Sequence, residues 1–554
     1  MVDSPKNQNL IGSFRELVLR SAGLFGDRDA FRVKSGKDSY DGISYNRLAG
    51  DVLNLAAAIE GRGLDGRHMA VLGENSYQWV VSYIGTVVSA SVIVPIDKEL
   101  TAREIQSIIL QSEVKVLFCS DDYIDIANEI AGNIKIEVFT MTGTSSRYTL
   151  LAQLLEEGRA VREKNPAAGQ LENDPGSLAT IVFTSGTTGF SKGVMLSRAN
   201  FMSNLDSSDR LIHLGDSVLS VLPMHHTYEF TLGILYSIYQ GLTICINDSI
   251  KYFAHNIKMF APSDMLFVPL VAENLYSTLW QNVAKAGKEK KLRNAIKISN
   301  MLLAVGIDLR KTLFKDIHNA LGGRLLSLFV GGAPFDPVVS RGFHELGIRI
   351  NIGYGITECS PLVAGNITDK PKYMGSCGPA IPGVDVRIVD ANEAGEGEIE
   401  VRGKSVMLGY YKNPAATEEV FDGEWFRTGD IGRFDENGML YITGRVKNLI
   451  VLKNGKNIYP EELEGMIAKI PYVREVVVMA HSNTAGEELS IQAEIFPDAE
   501  LAARDDVTNV AAGIQIMINN LNAQLPYYKR ITGIKYRDTE FPKTTSKKIK
   551  RYNT

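Results

Sequence analysis

The chain has 554 residues, of which 45% are hydrophobic and 22% are charged, and its formal net charge is −5. This length exceeds one ordinary domain, and the average composition excludes intrinsically disordered and fibrous proteins. The slight net acidity gives no basic field that would gather nucleic acid, so no nucleic-acid partner is expected.

Short apolar strands alternate with amphipathic helices through most of the chain. Strands are predicted at His68–Leu72, Val92–Ile96 and Val114–Cys119, and a helix is predicted at Thr101–Ser112. This alternation is typical of βαβ units, so we predict an α/β protein with mostly parallel sheets. The polar stretch Glu156–Gly176 then predicts a connector ahead of the first strong motif.

The character of the sequence changes near Gly444–Lys447, after which a short α+β pattern follows. Its predicted strands and helix cover Glu475–Met479, Ser490–Phe496 and Leu501–Leu525. We therefore predict two parts, a large N-terminal lobe over residues 1–446 and a small C-terminal domain over residues 447–554.

The cysteines and the apolar runs predict a cytoplasmic protein. The four cysteines form no CxxC pair, which favours a reducing compartment and argues against structural zinc. The first 25 residues lack a signal-type apolar core. The longest uncharged run, Asn75–Ile96, is interrupted by polar residues and Pro95, so it predicts a helix followed by a strand and not a membrane span.

The strongest local signal is Thr184–Val194 (TSGTTGFSKGV), which follows the apolar run Ala179–Phe183. Glycines let the backbone approach an anion, N–H groups and hydroxyls donate to phosphate oxygens, and Lys192 adds positive charge. The run is not a GxxxxGK[ST] loop, because Gly193 follows Lys192. A generic Gly/Ser/Thr turn is the alternative, which eleven residues in this order disfavour.

This run resembles the phosphate loop of the adenylate-forming superfamily, which includes acyl- and aryl-CoA synthetases, peptide-synthetase adenylation domains and beetle luciferases. Further segments similar to this family follow in the family's order: Gly353–Glu358 (GYGITE), Val406–Pro414 (VMLGYYKNP), Trp425–Asp430 (WFRTGD), Gly444–Lys447 (GRVK) and Pro542–Ile549 (PKTTSKKI). The resemblance implies an N-terminal AMP-binding lobe of several subdomains and a mobile α+β C-terminal domain.

The resemblance also implies an ATP site. Its residues are Thr184, Ser185, Gly186, Thr187, Thr188, Lys192, Gly332, Ala333, Pro334, Asn351, Gly353, Tyr354, Gly355, Thr357, Asp430 and Arg445. Tyr354 offers an aromatic face to adenine, and Thr357 can donate to the α-phosphate. Asp430 would accept from the ribose hydroxyls, with an ordinary turn aspartate as the alternative, and Arg445 would contact ribose or phosphate.

The implied catalytic residues are Lys548, Glu358, Thr184 and His226. Glu358 and Thr184 are expected to hold Mg²⁺ together with phosphate oxygens. Attack of a carboxylate on the α-phosphorus builds negative charge, which the ammonium of Lys548 would stabilise. The family pattern has Gly-Lys where this chain has two lysines, so a role shared with Lys547 and a solvated basic tail stay as alternatives.

Three further features concern the substrate acid and the thiol that would accept the acyl group. Leu222–Glu229 (LPMHHTYE) resembles the motif whose histidine gates the acyl pocket; His226 takes that position and His225 is the extra one, with packed surface imidazoles as the alternative. Lys447 aligns with the family's hinge. Gly455 aligns with the glycine that lets the pantetheine of coenzyme A pass, and a plain Asn-Gly turn is its alternative.

The spacing from Arg445 to Gly455 and the insert Asn274–Leu321 resemble the long-chain group of these ligases. The insert places lysines beside apolar residues, which predicts either weak contact with an anionic membrane or a solvated surface helix. Glu229–Thr231 lacks the Phe-Asp pattern of amino-acid-activating domains, which disfavours amino acids as substrates.

The resemblance therefore implies an acyl-CoA synthetase, an acid–thiol ligase that uses ATP and Mg²⁺. It would convert a medium- or long-chain fatty acid to acyl-AMP with release of pyrophosphate, and then transfer the acyl group to coenzyme A. A ligase of the same fold that loads an acyl carrier protein, or activates an aryl or amino acid, is the nearer alternative. A non-catalytic nucleotide or acyl-adenylate sensor is the other, which the joint presence of Lys192, Glu358, Asp430, Arg445 and Lys548 disfavours.

Overall fold

The structure is a computed structural model that describes residues 11–143, 147–171, 174–184, 191–368, 370–452, 457–482, 489–504, 507–543, 549 and 551. The strands are β1 (Asp29–Lys34), β2 (Tyr40–Ser44), β3 (His68–Leu72), β4 (Val92–Pro95), β5 (Val116–Cys119), β6 (Glu137–Thr140), β7 (Thr149–Leu150), β8 (Leu178–Thr184), β9 (Lys192–Ser197), β10 (Ser217–Ser220), β11 (Thr243–Ile246), β12 (Asp264–Phe267), β13 (Ser327–Gly331), β14 (Arg349–Gly355), β15 (Leu362–Asn366), β16 (Val384–Val389), β17 (Gly397–Gly403), β18 (Gly409–Tyr410), β19 (Phe421–Asp422), β20 (Trp425–Phe434), β21 (Leu440–Arg445), β22 (Ile450–Val451), β23 (Asn457–Ile458), β24 (Val473–Ser482), β25 (Leu489–Pro497) and β26 (Ile531–Tyr536).

The α-helices are α1 (Phe14–Phe25), α2 (Tyr45–Gly61), α3 (Tyr77–Val88), α4 (Ala102–Gln111), α5 (Ile124–Asn133), α6 (Leu151–Lys164), α7 (Arg198–Asp209), α8 (Tyr236–Gln240), α9 (Phe253–Phe260), α10 (Pro269–Lys285), α11 (Glu289–Ala304), α12 (Arg310–Leu313), α13 (Lys315–Ala320), α14 (Pro337–Glu345), α15 (Pro414–Glu419), α16 (Pro460–Ile467), α17 (Ala499–Arg504) and α18 (Val510–Gln524). A π-helix, Tyr228–Leu235, precedes α8.

Two eight-stranded sheets form most of the N-terminal part. The first has the order β15-β14-β13-β12-β10-β11-β1-β2, and its strands from β14 to β1 are parallel while the two outer strands are antiparallel. The second has the order β18-β9-β8-β4-β3-β5-β6-β7, with parallel strands from β8 to β7. The predicted α/β class with mostly parallel sheets is therefore confirmed.

Local sequence signals explain why these elements form. Helix α4 begins with a capping box, in which Thr101 and Glu104 satisfy each other's backbone N–H groups. Its residues Ile105, Ile108 and Ile109 lie on one face and are buried in the core of the second sheet. The central strands of both sheets are buried on both faces, which is why they are continuous apolar runs.

The smaller sheets follow. A five-stranded sheet has the order β16-β17-β20-β19, and β21 pairs with β20. In the C-terminal part, β24 pairs antiparallel with β25, which pairs parallel with β26. Helices α16 and α18 supply Leu463, Ile467, Ile514 and Ile518 to the core of this part. The predicted α+β character of the C-terminal region is thus confirmed.

The backbone forms two compact units, Met1–Asp385 with Val401–Phe426, and Val386–Glu400 with Arg427–Thr554. The predicted boundary between residues 446 and 447 concerns the point at which the small domain would rotate, and it stays a prediction. In the part of the chain that the structure describes, no helix is both long and apolar enough to cross a membrane.

Two element predictions were wrong. The connector predicted at Glu156–Gly176 begins inside α6, whose exposed face carries the polar residues while Leu151 and Leu154 are buried. Gly158 lets α6 approach α2 closely, because a Cβ there would lie 1.7 Å from the carbonyl oxygen of Asn54. The single helix predicted at Leu501–Leu525 is divided into α17 and α18, and Asn509 caps the start of α18 by accepting from the N–H of Ala512 at 3.0 Å.

Candidate active site

Two neighbouring strands of the first sheet end in glycines at the same edge. Gly331 of β13 and Gly353 of β14 are register partners, and a Cβ on Gly331 would lie 3.2 Å from the carbonyl oxygen of Gly353. Gly332 turns the chain with a φ of +90°, and Ala333 and Pro334 are exposed beside it. Ligands of open α/β sheets bind outside the carboxyl ends of the strands. The structure therefore brings both predicted adenine-contacting segments to one edge.

Other predicted residues of β14 lie deeper. Asn351 is buried, and its amide donates to Ser327 Oγ at 3.4 Å while its Oδ1 has no protein partner. Tyr354 is also buried, whereas Gly355 and Thr357 are half-buried at the strand end. The ATP contacts of these residues stay predictions.

Glu358 and Lys192 are joined through Tyr410. The hydroxyl of Tyr410 donates to Glu358 Oε1 at 3.0 Å, and Nζ of Lys192 lies 4.8 Å from the centroid of the Tyr410 ring. Burial, followed by the charge of Glu358, raises the pKa of Tyr410, so its hydroxyl stays a donor. The ammonium of Lys192 contacts the Tyr410 ring, and the Tyr410 hydroxyl donates to Glu358. These two contacts hold the three side chains together.

The strand pairing explains this cluster. Tyr410 lies on β18 opposite Val194 of β9, and β9 begins at Lys192. Thr184, at the end of β8, is the register partner of Lys192, and its Oγ1 lies 3.5 Å from the Lys192 carbonyl oxygen. The predicted phosphate-loop residues Ser185, Gly186, Thr187 and Thr188 lie outside the described residues. The sequence motif contained Tyr410, but no role had been assigned to it.

The cluster has the chemistry that Mg²⁺ bound to a nucleotide requires. Within the described residues, no three acidic, histidine or cysteine side chains gather as a metal site. Mg²⁺ bound mostly by phosphate oxygens and water needs only one or two protein carboxylates. Glu358, oriented by Tyr410 and half-buried near Lys192 and Thr184, fits this requirement.

Asp430 and Arg445 form a pair within the second compact unit. They are register partners on β20 and β21, and Arg445 Nε lies 2.7 Å from Asp430 Oδ1. Asp430 is buried and its N–H donates to Thr428 Oγ1 at 3.0 Å, while Arg445 is exposed. Lys447 is exposed in the short 3-10 turn that follows β21. The structure thus brings together the two residues predicted to contact ribose.

The two histidines lie side by side between β10 and the π-helix. Their ring centroids are 4.1 Å apart, and Asn75 holds their loop by donating to the Leu222 carbonyl at 2.7 Å and accepting from the Met224 N–H at 3.1 Å. Burial, and then the charges of His226 and Lys98, hold the pKa of His225 well below its ordinary value. His225 is therefore neutral at pH 7, and the gating role of His226 stays a prediction.

A buried carboxyl follows the histidines. Glu229 is fully buried in the π-helix, and its Oε1 accepts from Ser220 Oγ at 2.6 Å while Oε2 has no protein partner. Burial raises the pKa of Glu229 to about 8, so this side chain carries a proton at pH 7. This protonation state could not be predicted from the sequence, because it depends on burial.

The predicted catalytic Lys548, its neighbour Lys547 and the predicted pantetheine-contacting Gly455 lie outside the described residues. The described residues on either side of the lysines make contacts within the C-terminal part. Lys543 pairs with Glu475 and bridges to Ile549, and Arg551 pairs with Glu464 of α16. Burial raises the pKa of Glu464 to about 7. The role of Lys548 stays a prediction.

Comparison with known proteins identifies the family of this chain. Residues 18–411 match the AMP-binding enzyme family, and residues 447–554 match the AMP-binding enzyme C-terminal domain. The chain belongs to the AMP-binding enzyme family. The predicted resemblance to adenylate-forming enzymes is therefore confirmed.

Among curated relatives in this family, the long-chain-fatty-acid–CoA ligase FadD15 of Mycobacterium bovis is 30% identical over 87% of this chain and 85% of its own length. The long-chain-fatty-acid–[acyl-carrier-protein] ligase AEE15 of Arabidopsis thaliana is 27% identical over 88% of this chain and 76% of its own. The ATP-bound structure of MatB from Rhodopseudomonas palustris has a TM-score of 0.76 at 24% identity and covers 97% of each chain, which confirms the fold.

Proposed function

We propose that this chain is an ATP-dependent acyl-CoA synthetase that activates a medium- or long-chain fatty acid. The cluster of Lys192, Tyr410 and Glu358 is the observation that carries the proposal, because it joins a phosphate-binding cation to a carboxylate suited to Mg²⁺. The name of the 30% identical relative from Mycobacterium bovis supports a long-chain fatty acid and coenzyme A as substrates.

In the first half-reaction, a carboxylate oxygen of the fatty acid attacks the α-phosphorus of ATP, and the bond to pyrophosphate breaks. Lys192 and Thr184 would bind the departing phosphates, and Lys548 would stabilise the charge that builds between the carboxylate and the α-phosphate. Mg²⁺, held by Glu358 and the phosphates, would neutralise phosphate charge when bound.

The remaining predicted residues position the nucleotide and the adenylate. Asp430 and Arg445 would hold the ribose, and the glycine-ended strands β13 and β14 would accept adenine along their edge. Fixing acid and nucleotide together supplies the proximity that the first step requires. His226 would then separate the acyl pocket from the nucleotide.

In the second half-reaction, the thiolate of coenzyme A attacks the acyl carbonyl carbon, the carbon–oxygen bond to AMP breaks, and the thioester forms. Lys447 is the proposed hinge that exposes the adenylate to the thiol, and Gly455 the proposed passage for pantetheine. All four cysteines are free thiols, which fits the predicted cytoplasmic compartment.

The test is pyrophosphate release with ATP and Mg²⁺ against a series of fatty acids of increasing chain length, with and without coenzyme A. We expect release that depends on the acid, peaks at one length and increases with coenzyme A. A peak with an aryl or amino acid, or stimulation by acyl carrier protein in place of coenzyme A, would contradict the proposed substrates. Nucleotide binding without turnover of any acid would indicate a sensor.

A further inference from the structure

Helix α11 has apolar side chains on two opposite faces. On the inner face, Leu292 is buried against Phe314 and Leu346. On the outer face, Ile298, Met301 and Val305 are 52%, 64% and 72% exposed. At about 100° of rotation per residue, these three lie within one narrow arc on the side away from Leu292. The inner face therefore anchors the helix, and no element of the described ranges covers the outer face.

Exposed apolar side chains continue along the chain beyond the helix. Ile307, Leu309 and Leu313 are also exposed. We call the six residues Ile298, Met301, Val305, Ile307, Leu309 and Leu313 the apolar patch. In the described parts of the chain 20 large apolar side chains are exposed, and six of them fall in these 16 positions. Single exposed apolar residues are ordinary, but such a concentration marks an interaction surface.

The segment that carries the apolar patch is also rich in basic side chains. Residues 285–315 contain nine lysines and arginines but only two acidic residues, Glu289 and Asp308, although acidic residues outnumber basic ones by 64 to 59 in the whole chain. Arg293 pairs with Glu289 at 2.9 Å and Arg310 pairs with Asp308 at 2.8 Å, so both acidic residues are occupied. The seven exposed lysines are Lys285, Lys288, Lys290, Lys291, Lys297, Lys311 and Lys315.

We propose that the apolar patch and these seven lysines form a docking surface for an anionic lipid membrane. Aliphatic side chains on one helix face would enter the headgroup boundary, and the lysines would contact lipid phosphates. Protein interfaces concentrate their binding energy in aromatic and arginine anchors. The patch contains neither, and both arginines of the segment are paired internally. This chemistry fits a lipid surface better than a protein partner.

The test is sedimentation of the full-length protein with vesicles of phosphatidylcholine alone, and with vesicles of equal parts of phosphatidylcholine and phosphatidylglycerol. We expect binding to the anionic vesicles, weakened by high salt because screening shortens the range of the lysine charges. The double variant M301D/V305D should lower partitioning at least about tenfold. Its matched control is I516D/Y527D, because Ile516 and Tyr527 are 61% and 85% exposed elsewhere in the chain.

The lysines are tested separately. The variant K288E/K290E/K291E should lower binding to anionic vesicles at least about tenfold. The control K135E/K164E/K469E makes the same change in net charge at exposed lysines outside the segment, and it should bind like the natural protein. Melting temperatures of all four variants establish that each is folded.

Four results would overturn the proposal. The natural protein fails to bind anionic vesicles, or the two segment variants bind as well as their controls, or M301D/V305D dissociates a dimer of a protein that does not bind vesicles. Binding to acidic carrier protein without binding to vesicles would likewise overturn it. None of these outcomes depends on the proposed ligase activity, because pyrophosphate release is measured without vesicles.

Discussion

The carboxylate of Asp430 and the guanidinium of Arg445 face each other across neighbouring strands, with Oδ1 2.7 Å from Nε. Asp430 is predicted to contact the ribose of ATP, and Arg445 is predicted to contact the ribose or a phosphate. Because the strand register fixes their separation, the pair is held by the sheet and needs no flexible loop. Asp430 is buried and Arg445 is exposed, so the pair joins a carboxylate inside the sheet to a guanidinium at its surface.

Replacing Asp430 with asparagine tests this pair. We expect D430N to raise the KM for ATP by roughly 10- to 100-fold, because hydrogen bonds to a charged group contribute about 1.5–3 kcal/mol. The measurement is pyrophosphate release at varied ATP. The control is D435N in the β20–β21 turn, where the Asp435 side chain accepts from the N–H groups of Asn437 and Met439. Equal effects of the two variants would contradict a ribose contact by Asp430.

Substitutions at two adjacent tyrosines, Tyr410 and Tyr411, distinguish the effect of the contact with Glu358 from a general effect of losing a hydroxyl in this segment. Y410F removes the hydroxyl that donates to Glu358, and we expect a higher Mg²⁺ requirement and about tenfold slower adenylation. Y411F removes a hydroxyl that donates to the exposed Glu113 at 2.8 Å, so its activity should stay close to that of the natural protein. Mg²⁺ titrations of pyrophosphate release compare the two. If Y410F requires no more Mg²⁺ than the natural protein, Tyr410 has no role at the proposed Mg²⁺ site.

The first-step lysine is tested by single substitutions at Lys547 and Lys548. We expect K548A to slow acyl-AMP formation by roughly 10²–10³-fold, because a preorganised charge at the transition state is lost. K547A should be nearly as active as the natural protein. Transfer of acyl groups from supplied acyl-AMP to coenzyme A should be spared in both. The opposite ranking in acyl-AMP formation would assign the role to Lys547.

Glu229 predicts a pH-dependent stability. Its folded pKa of about 8 lies above the value of 4.5 expected when exposed, so the folded state keeps a proton that the unfolded state releases. The stabilisation is complete below about pH 4.5 and is lost as the pH rises through 8, with a total of about 5 kcal/mol. E229Q keeps the acceptor for Ser220 and removes the titration.

E229Q should therefore melt at a higher temperature than the natural protein. This difference in melting temperature should be larger at pH 8.5 than at pH 5. The control is E393Q, since Glu393 is exposed and its replacement should give the same small difference at both pH values. A pH-independent difference for E229Q would show that the carboxyl is ionised in the folded protein.

Strands with strong apolar runs could be predicted from the sequence, because burial on both faces selects such residues. The predicted strand His68–Leu72 is β3, and the predicted helix Thr101–Ser112 contains α4. Helix α6 was missed, because its polar face dominates the composition and only its close approach to α2 at Gly158 shows that it is packed.

Some features of the candidate site could likewise be predicted from the sequence, and others could not. Motifs predicted Lys192, Glu358, Asp430 and Arg445, since each of these residue types has one evident chemistry beside a nucleotide. The contact of Tyr410 with both Lys192 and Glu358 could not be predicted, because it depends on the pairing of β18 with β9, which are far apart in sequence. The same is true of Asn75, which contacts the loop of the histidines from the connection between β3 and α3.

The central claim is that a carboxylate oxygen of the acid becomes bonded to the α-phosphorus of ATP. It is tested most directly with a fatty acid labelled with ¹⁸O in its carboxylate, incubated with the protein, ATP, Mg²⁺ and coenzyme A. Mass spectrometry should find one ¹⁸O atom in each AMP released, together with acyl-CoA that retains the other. Unlabelled AMP, or ADP as the nucleotide product, would contradict the account.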